Sequence, residues 1–78
     1  MDDIETRVRS VIVRIIPEVD SSTLKGSDHL IDNLGADPQN TFELVMAIER
    51  EFGIQISDVD AETFQTVQEI VNFVRANV

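Results

Sequence analysis

Few residues in this chain have a type and spacing that could do covalent chemistry. Ser27 and His29 place a hydroxyl and an imidazole two positions apart, the raw material of a reaction in which the ring takes the hydroxyl proton as the oxygen attacks. They fall in a loop stretch with no third group fixed to orient the ring, so His29 reads as a partly exposed loop residue and not a general base. Carboxylates abound, but acid–base work needs one member of a pair held neutral by an apolar pocket, and none is flanked by one. Three scattered glycines make no phosphate-cradling loop. One metal pattern comes close: Asp58, Asp60, Glu62, Phe64 and Glu69 fall at positions 1, 3, 5, 7 and 12 of a calcium-loop template. Position 6 is Thr63, where the turn requires glycine, and residues 58–62 read as helix. No catalytic and no metal-binding residues are assigned, and a chain that is not an enzyme is expected.

The bulk composition points the same way. The chain has 78 residues, 15 acids against 6 bases and a net charge of −9. That length suits one domain over residues 1–78. A chain this small buries only about 60–65% of its unfolded surface, so every apolar stripe must enter one shared core. With no Cys, neither a disulfide framework nor a thiolate metal site is available. A hydrophobic fraction of 42% is too high for a disordered acidic tail. A pI near 4.2 excludes a nucleic-acid binder, because neutralising phosphates needs clustered Lys and Arg. The longest stretches without a charged residue are six long, Phe52 to Ser57 and Thr63 to Gln68. A membrane span needs about 20 apolar residues, so no insertion is expected. The start, Met1-Asp2-Asp3, is acidic where a signal peptide would be basic, and a cytoplasmic protein is expected.

The placement of the charge says more than its sum. Residues 1–27 hold five acids and four bases, whereas residues 28–74 hold ten acids and one base, Arg50. Such asymmetry suits a docking surface for a basic partner; a solvated acidic surface kept for solubility explains it equally well at this level.

The elements that would position these residues are helical. Ile4, Val8, Val11, Ile12 and Ile15 recur at helical spacing over residues 3–16, with Asp2, Asp3 and Glu5 in the first turn. Pro17 pushes Ile16 out of the helical region and ends the segment. A connection from Pro17 to Asp37 follows, long enough to suggest a function, with Leu24, Leu30, Ile31 and Leu34 as its anchors. Asp37 caps a second helix, Pro38 takes its first position, the helix runs to Phe52, and Gly53 provides a left-handed stop. Thr41, Leu44, Val45, Ile48 and Phe52 fall within an arc of about 100° that faces the core. Phe42 and Met46 fall opposite, four residues apart, with Glu43, Glu49 and Arg50 around them: a candidate contact patch. Ile54-Gln55-Ile56 reads as a tie across the core, and Ser57 caps a short helix over 58–62. Thr66-Val67-Gln68-Glu69 is a capping box opening a last helix with Val67, Ile70, Val71 and Val74 on one face. The expected fold is all-α, a small bundle of three main helices and one short one.

At Leu34-Gly35-Ala36-Asp37, Thr41, Glu43-Leu44-Val45-Met46-Ala47-Ile48-Glu49 and Glu51-Phe52, continuing through Ile54-Gln55-Ile56 and Thr66-Val67-Gln68, the sequence resembles the acyl carrier proteins. The likeness covers nearly the whole chain and is weakest over residues 17–30. It implies an acidic four-helix bundle with a long first loop and a short third helix. In that family a Ser following the Asp and preceding a Leu carries phosphopantetheine, whose thiol holds the acyl chain. Here the family's Asp-Ser-Leu reads Asp37-Pro38-Gln39, with no gap on either side. Proline has no nucleophilic oxygen, so no phosphopantetheine is expected at position 38. Gln39 also replaces the apolar residue that the family's enzymes contact beside the arm.

The resemblance further implies that partner enzymes recognise the second helix through acids around an apolar centre. Phe42, Glu43, Met46 and Glu49 fit that role, whereas Arg50 stands where the family often has another acid. The expected partner is a basic surface on an acyl-chain biosynthetic or modifying enzyme, met by a monomeric adaptor, regulator or decoy of fatty-acid or related biosynthesis. The alternative is a true acyl carrier modified at another hydroxyl, Thr41 or Ser27. A degenerate copy with no remaining role is the plainest reading.

Overall fold

The computed structural model describes residues 3–78; Met1 and Asp2, and with them the Asp2 part of the expected acidic first turn, lie outside the described residues. Four helices follow in order: α1 Asp3–Ile15, α2 Pro38–Phe52, α3 Asp58–Glu62 and α4 Val67–Asn77. Among the described residues no strand occurs, only an isolated antiparallel bridge between His29 and Thr66. The all-α bundle read from the sequence is therefore the fold.

Each helix starts and stops for a local reason. Asp3 and Glu5 occupy the first turn of α1 and Arg14 its last, complementing the helix dipole. The helix ends at Ile15, one residue earlier than read, and Ile16 turns fully into the core ahead of Pro17. At α2, the Asp37 carboxylate accepts the Asn40 N–H at 2.7 Å, and the Asn40 side-chain oxygen accepts the Asp37 N–H at 3.2 Å. This is a reciprocal capping box with Asn where the familiar motif has Glu or Gln, which is why only half of it was legible. Gly53 closes α2 at φ 66° and donates to the Glu49 carbonyl, as does Ile54 beyond it. Ser57 caps α3 by accepting from the Asp60 N–H, and Thr66 with Glu69 forms the expected box at α4.

The core gathers Val8, Val11 and Ile12 of α1, Leu44, Ala47 and Ile48 of α2, and Val67, Ile70, Val71 and Val74 of α4. On α2 the buried stripe is rotated from the expected arc. Ala47, which was not placed in that arc, is buried beside Arg14 and Ile15, whereas Thr41, Val45 and Phe52 are half-buried. Phe64 and Phe73 meet edge to face, with ring centroids 5.2 Å apart.

Arg7 joins the start of α1 to the end of α2. Its guanidinium donates to the Glu51 carboxylate at 3.0 Å and the Glu51 carbonyl at 2.9 Å, and stacks 4.5 Å above the Phe52 ring. The hydrogen bond to Glu51 raises the Arg7 pKa above its ordinary value, so it stays charged under all working conditions.

The long connection is held to the start of α4. The Leu30 N–H donates to the Gln65 carbonyl at 2.8 Å, and the Val67 and Gln68 N–H groups donate to the carbonyls of Asp28 and Gly26 at 3.2 and 2.9 Å. Those last two donors open α4 and have no partner inside it, so the loop and the helix satisfy each other. Leu24 and Leu30 are buried as expected and Leu34 is half-buried; Ile31, read as a fourth anchor, is instead 57% exposed.

Two stability measurements follow. Gly53→Ala places a side chain at positive φ and is expected to lower the unfolding free energy by about 1 kcal/mol in urea titration. Arg7→Ala is expected to lower the urea midpoint. Arg7→Lys should restore only part of the loss, because a lysine cannot reproduce the forked contact with Glu51 or the stacking on Phe52.

Candidate functional site

The first turn of α2 is the chemically interesting end of the bundle. Asp37 is committed to capping, and Pro38 and Gln39 follow it exposed at the helix start. Pro38 needs no amide hydrogen there, and its fixed φ suits the first helical position. The site thus keeps the helix start intact while presenting no side-chain oxygen at position 38.

A groove of about 450 Å³ runs from Pro38 along α2 to α3, lined by Pro38, Thr41, Phe42, Val45 and Met46 on one side and Ile56 and Ala61 on the other. Phe42 lies one turn beyond Pro38 and is 64% exposed; Met46, one turn further, is 41% exposed. Large apolar side chains this open on a small chain mark a contact surface more often than a packing fault. Glu43 is exposed on the same helix but does not line the groove. Glu49 lines it and is half-buried, and its carboxylate accepts the Ile56 N–H at 2.8 Å. It is therefore a strut from α2 to the segment leading into α3 as well as a surface charge. The fourfold set Phe42, Glu43, Met46 and Glu49 is thus on one helix, with three of its members bordering the groove.

Sequence reading missed Val59, which is 72% exposed on α3, and the carboxylates of Asp58 and Glu62 at the groove's far wall. A five-residue helix shows too little periodicity for its outer face to be read. The calcium-loop spacing has no loop to act in, because residues 58–62 are helical. Among the described residues no group of three or more His, Cys, Asp or Glu side chains could hold a metal ion.

The hydroxyls have other work. Thr41 Oγ1 donates to the Asp37 carbonyl at 3.1 Å and is half-buried against the helix start. Ser27 is exposed in the loop segment paired with α4. His29 Nδ1 accepts from the N–H groups of Ile31 and Asp32, each at 3.2 Å, and lies 3.9 Å from the Asp32 carboxylate. Its ring braces its own loop, and among the described residues Ser27 is not one of its partners. No helix of the described residues is long and apolar enough to cross a membrane.

Compared with models of protein families, residues 6–74 match the family described as the phosphopantetheine attachment site. The match takes in most of α1, the loop braced on α4, all of α2 and α3, and α4 as far as Val74. Fold, helix caps and family match agree, and the chain belongs to the phosphopantetheine attachment-site family of carrier-type proteins, to which the acyl carrier proteins belong.

Proposed function

We propose that this chain is a carrier-type protein that docks but does not carry: a cytoplasmic adaptor, regulator or decoy towards acyl-chain biosynthetic enzymes. The observation behind this reading is Pro38 at the first position of α2, where the acyl carrier proteins have the Ser that bears the arm. Attachment makes a phosphate ester of that hydroxyl, and proline has no side-chain oxygen to supply one. Everything around the position remains suited to a partner: an exposed Phe42 and Met46, acids at Glu43 and Glu49, and further acids at Asp58 and Glu62. A basic enzyme surface would meet this face with charge complementarity that speeds encounter and an apolar centre that retains it.

The chemistry is testable by mass. Incubated with coenzyme A and a phosphopantetheinyl transferase, the protein is expected to keep its intact mass, while Pro38→Ser combined with Gln39→Leu gains one phosphopantetheine. A gain by the unaltered chain would overturn the reading and favour the covalent-carrier alternative. Thr41, which borders the same groove one turn from Pro38, and Ser27 are then the hydroxyls to inspect in the modified peptide.

Docking is tested separately, by calorimetry against a purified acyl-chain enzyme with a basic docking patch. Phe42→Ala is expected to weaken binding about tenfold or more, as for an apolar anchor at an interface centre. Glu43→Lys should weaken it further at low salt than at high salt. Glu49→Gln removes the charge but keeps an oxygen for the Ile56 N–H, so it separates docking from folding where Glu49→Lys would not. Unchanged affinity in all three variants would remove this face from the proposal.

A further inference from the structure

The arginines of this chain divide into two groups. Arg7 pairs with Glu51 at 3.0 Å, Arg9 with Glu5 at 3.1 Å and Arg75 with Glu5 at 3.8 Å. Arg14 and Arg50 make no ion pair or side-chain hydrogen bond among the described residues, although acids outnumber bases 15 to 6. Both are exposed, and both line one cavity of about 170 Å³ between α1 and α2, together with Ile15, Ala47 and Glu51. Glu51 contributes the cavity's only carboxylate, and Arg7 already engages both that carboxylate and the Glu51 carbonyl. Ala47 adds only a methyl group to the cavity lining and no charge. Each arginine stands in the last turn of its helix, where the dipole favours a cation. That accounts for each cation singly but not for two of them, from different helices, sharing one cavity whose single lining carboxylate is held by a third arginine, Arg7.

We propose that Arg14 and Arg50 form a binding site for a dianionic phosphoryl group. Two guanidiniums offer two positive charges and forked N–H donors, which match the geometry of phosphate oxygens. A phosphate monoester carries about −1.5 to −2 at neutral pH, so it balances both arginines, whereas a single carboxylate would leave one unmatched. The protein's overall −9 repels an anion at long range. Salt screens that field beyond about 8 Å at physiological ionic strength, which leaves the contacts at the cavity to decide. The site borders α1, whereas Arg50 also lines a second cavity with Met46 and Glu49 of the proposed docking face; the proposal rests on the cavity shared with Arg14 and not on the docking reading.

The test is a titration of ¹⁵N-labelled protein with inorganic phosphate near neutral pH, with ionic strength held constant by sodium chloride. Saturable shifts are expected at the side-chain Nε–H signals of Arg14 and Arg50 and at the Ala47 amide. Arg14→Gln and Arg50→Gln should each weaken the affinity by about tenfold or more, the size of a lost charge-assisted hydrogen bond. Both residues are exposed, so these variants are expected to keep the remaining amide spectrum, which verifies their folding in the same experiment. Glycerol phosphate distinguishes a free ion from an ester: equal affinity assigns the site to phosphate itself, and tighter binding assigns it to a phosphorylated molecule. Shifts that do not saturate, that acetate reproduces, that appear equally at Arg7, Arg9 and Arg75, or that survive the double Gln variant would overturn the assignment.

Discussion

The order of the bundle rests on a short run of backbone hydrogen bonds between residues 26–30 and 65–68. Burial of Leu24, Leu30 and Ala36 holds the connection's side chains but leaves its backbone polar groups to be paired, and the first N–H groups of α4 cannot be satisfied from within the helix. Each solves the other's deficit. Once the loop is fixed there, Leu30 is buried, the Ala36 N–H reaches the Leu30 carbonyl at 2.9 Å, and the chain enters Asp37 in the extended conformation a cap requires. The α2 N-terminus is thus tied to the start of α4, while the rest of the helix is held by burial of Leu44, Ala47 and Ile48.

That chain of support explains how proline is accommodated at position 38 without disturbing its surroundings. Nothing in the cap needs the side chain of residue 38: Asp37 and Asn40 bond to each other's backbone across it, and the first helical N–H is among those a helix leaves unmade. Proline therefore stands there at little structural cost, and its ring restricts φ in the unfolded ensemble as well. Chemical competence and structural integrity are separable at this site because they use different atoms.

Much of this was legible in the sequence, and the parts that were not have physical causes. Helix limits came through because Asp37, Pro38, Gly53, Ser57 and Thr66 each act on the backbone within three or four residues. The loop's pairing with α4 did not, since backbone bonds between Gly26 and Gln68 are blind to side-chain type. Ile31 looked like an anchor by composition, yet its neighbour Leu30 takes the buried position and turns it outward. Ala47 was overlooked because a methyl group weighs little in a hydrophobic pattern even when it sits under the contact of two helices. Phe42 and Met46 were found by their departure from the core stripe, which needs only helical geometry. Val59 was missed because five residues are too few to show a face.

Glu49 is both a charge bordering the groove and a strut to the segment that leads into α3. Its carboxylate accepts the Ile56 N–H and keeps other lone pairs, so a cation arriving at this face has two courses: to bond the remaining acceptor positions, or to displace the Ile56 N–H and free the segment that leads into α3. In the second case the width of the groove becomes a variable that responds to the ligand, and the reciprocity of linked equilibria requires that whatever widens the groove also changes the affinity for that cation by the same factor. A strut at this position couples the shape of the groove to whatever engages its carboxylate.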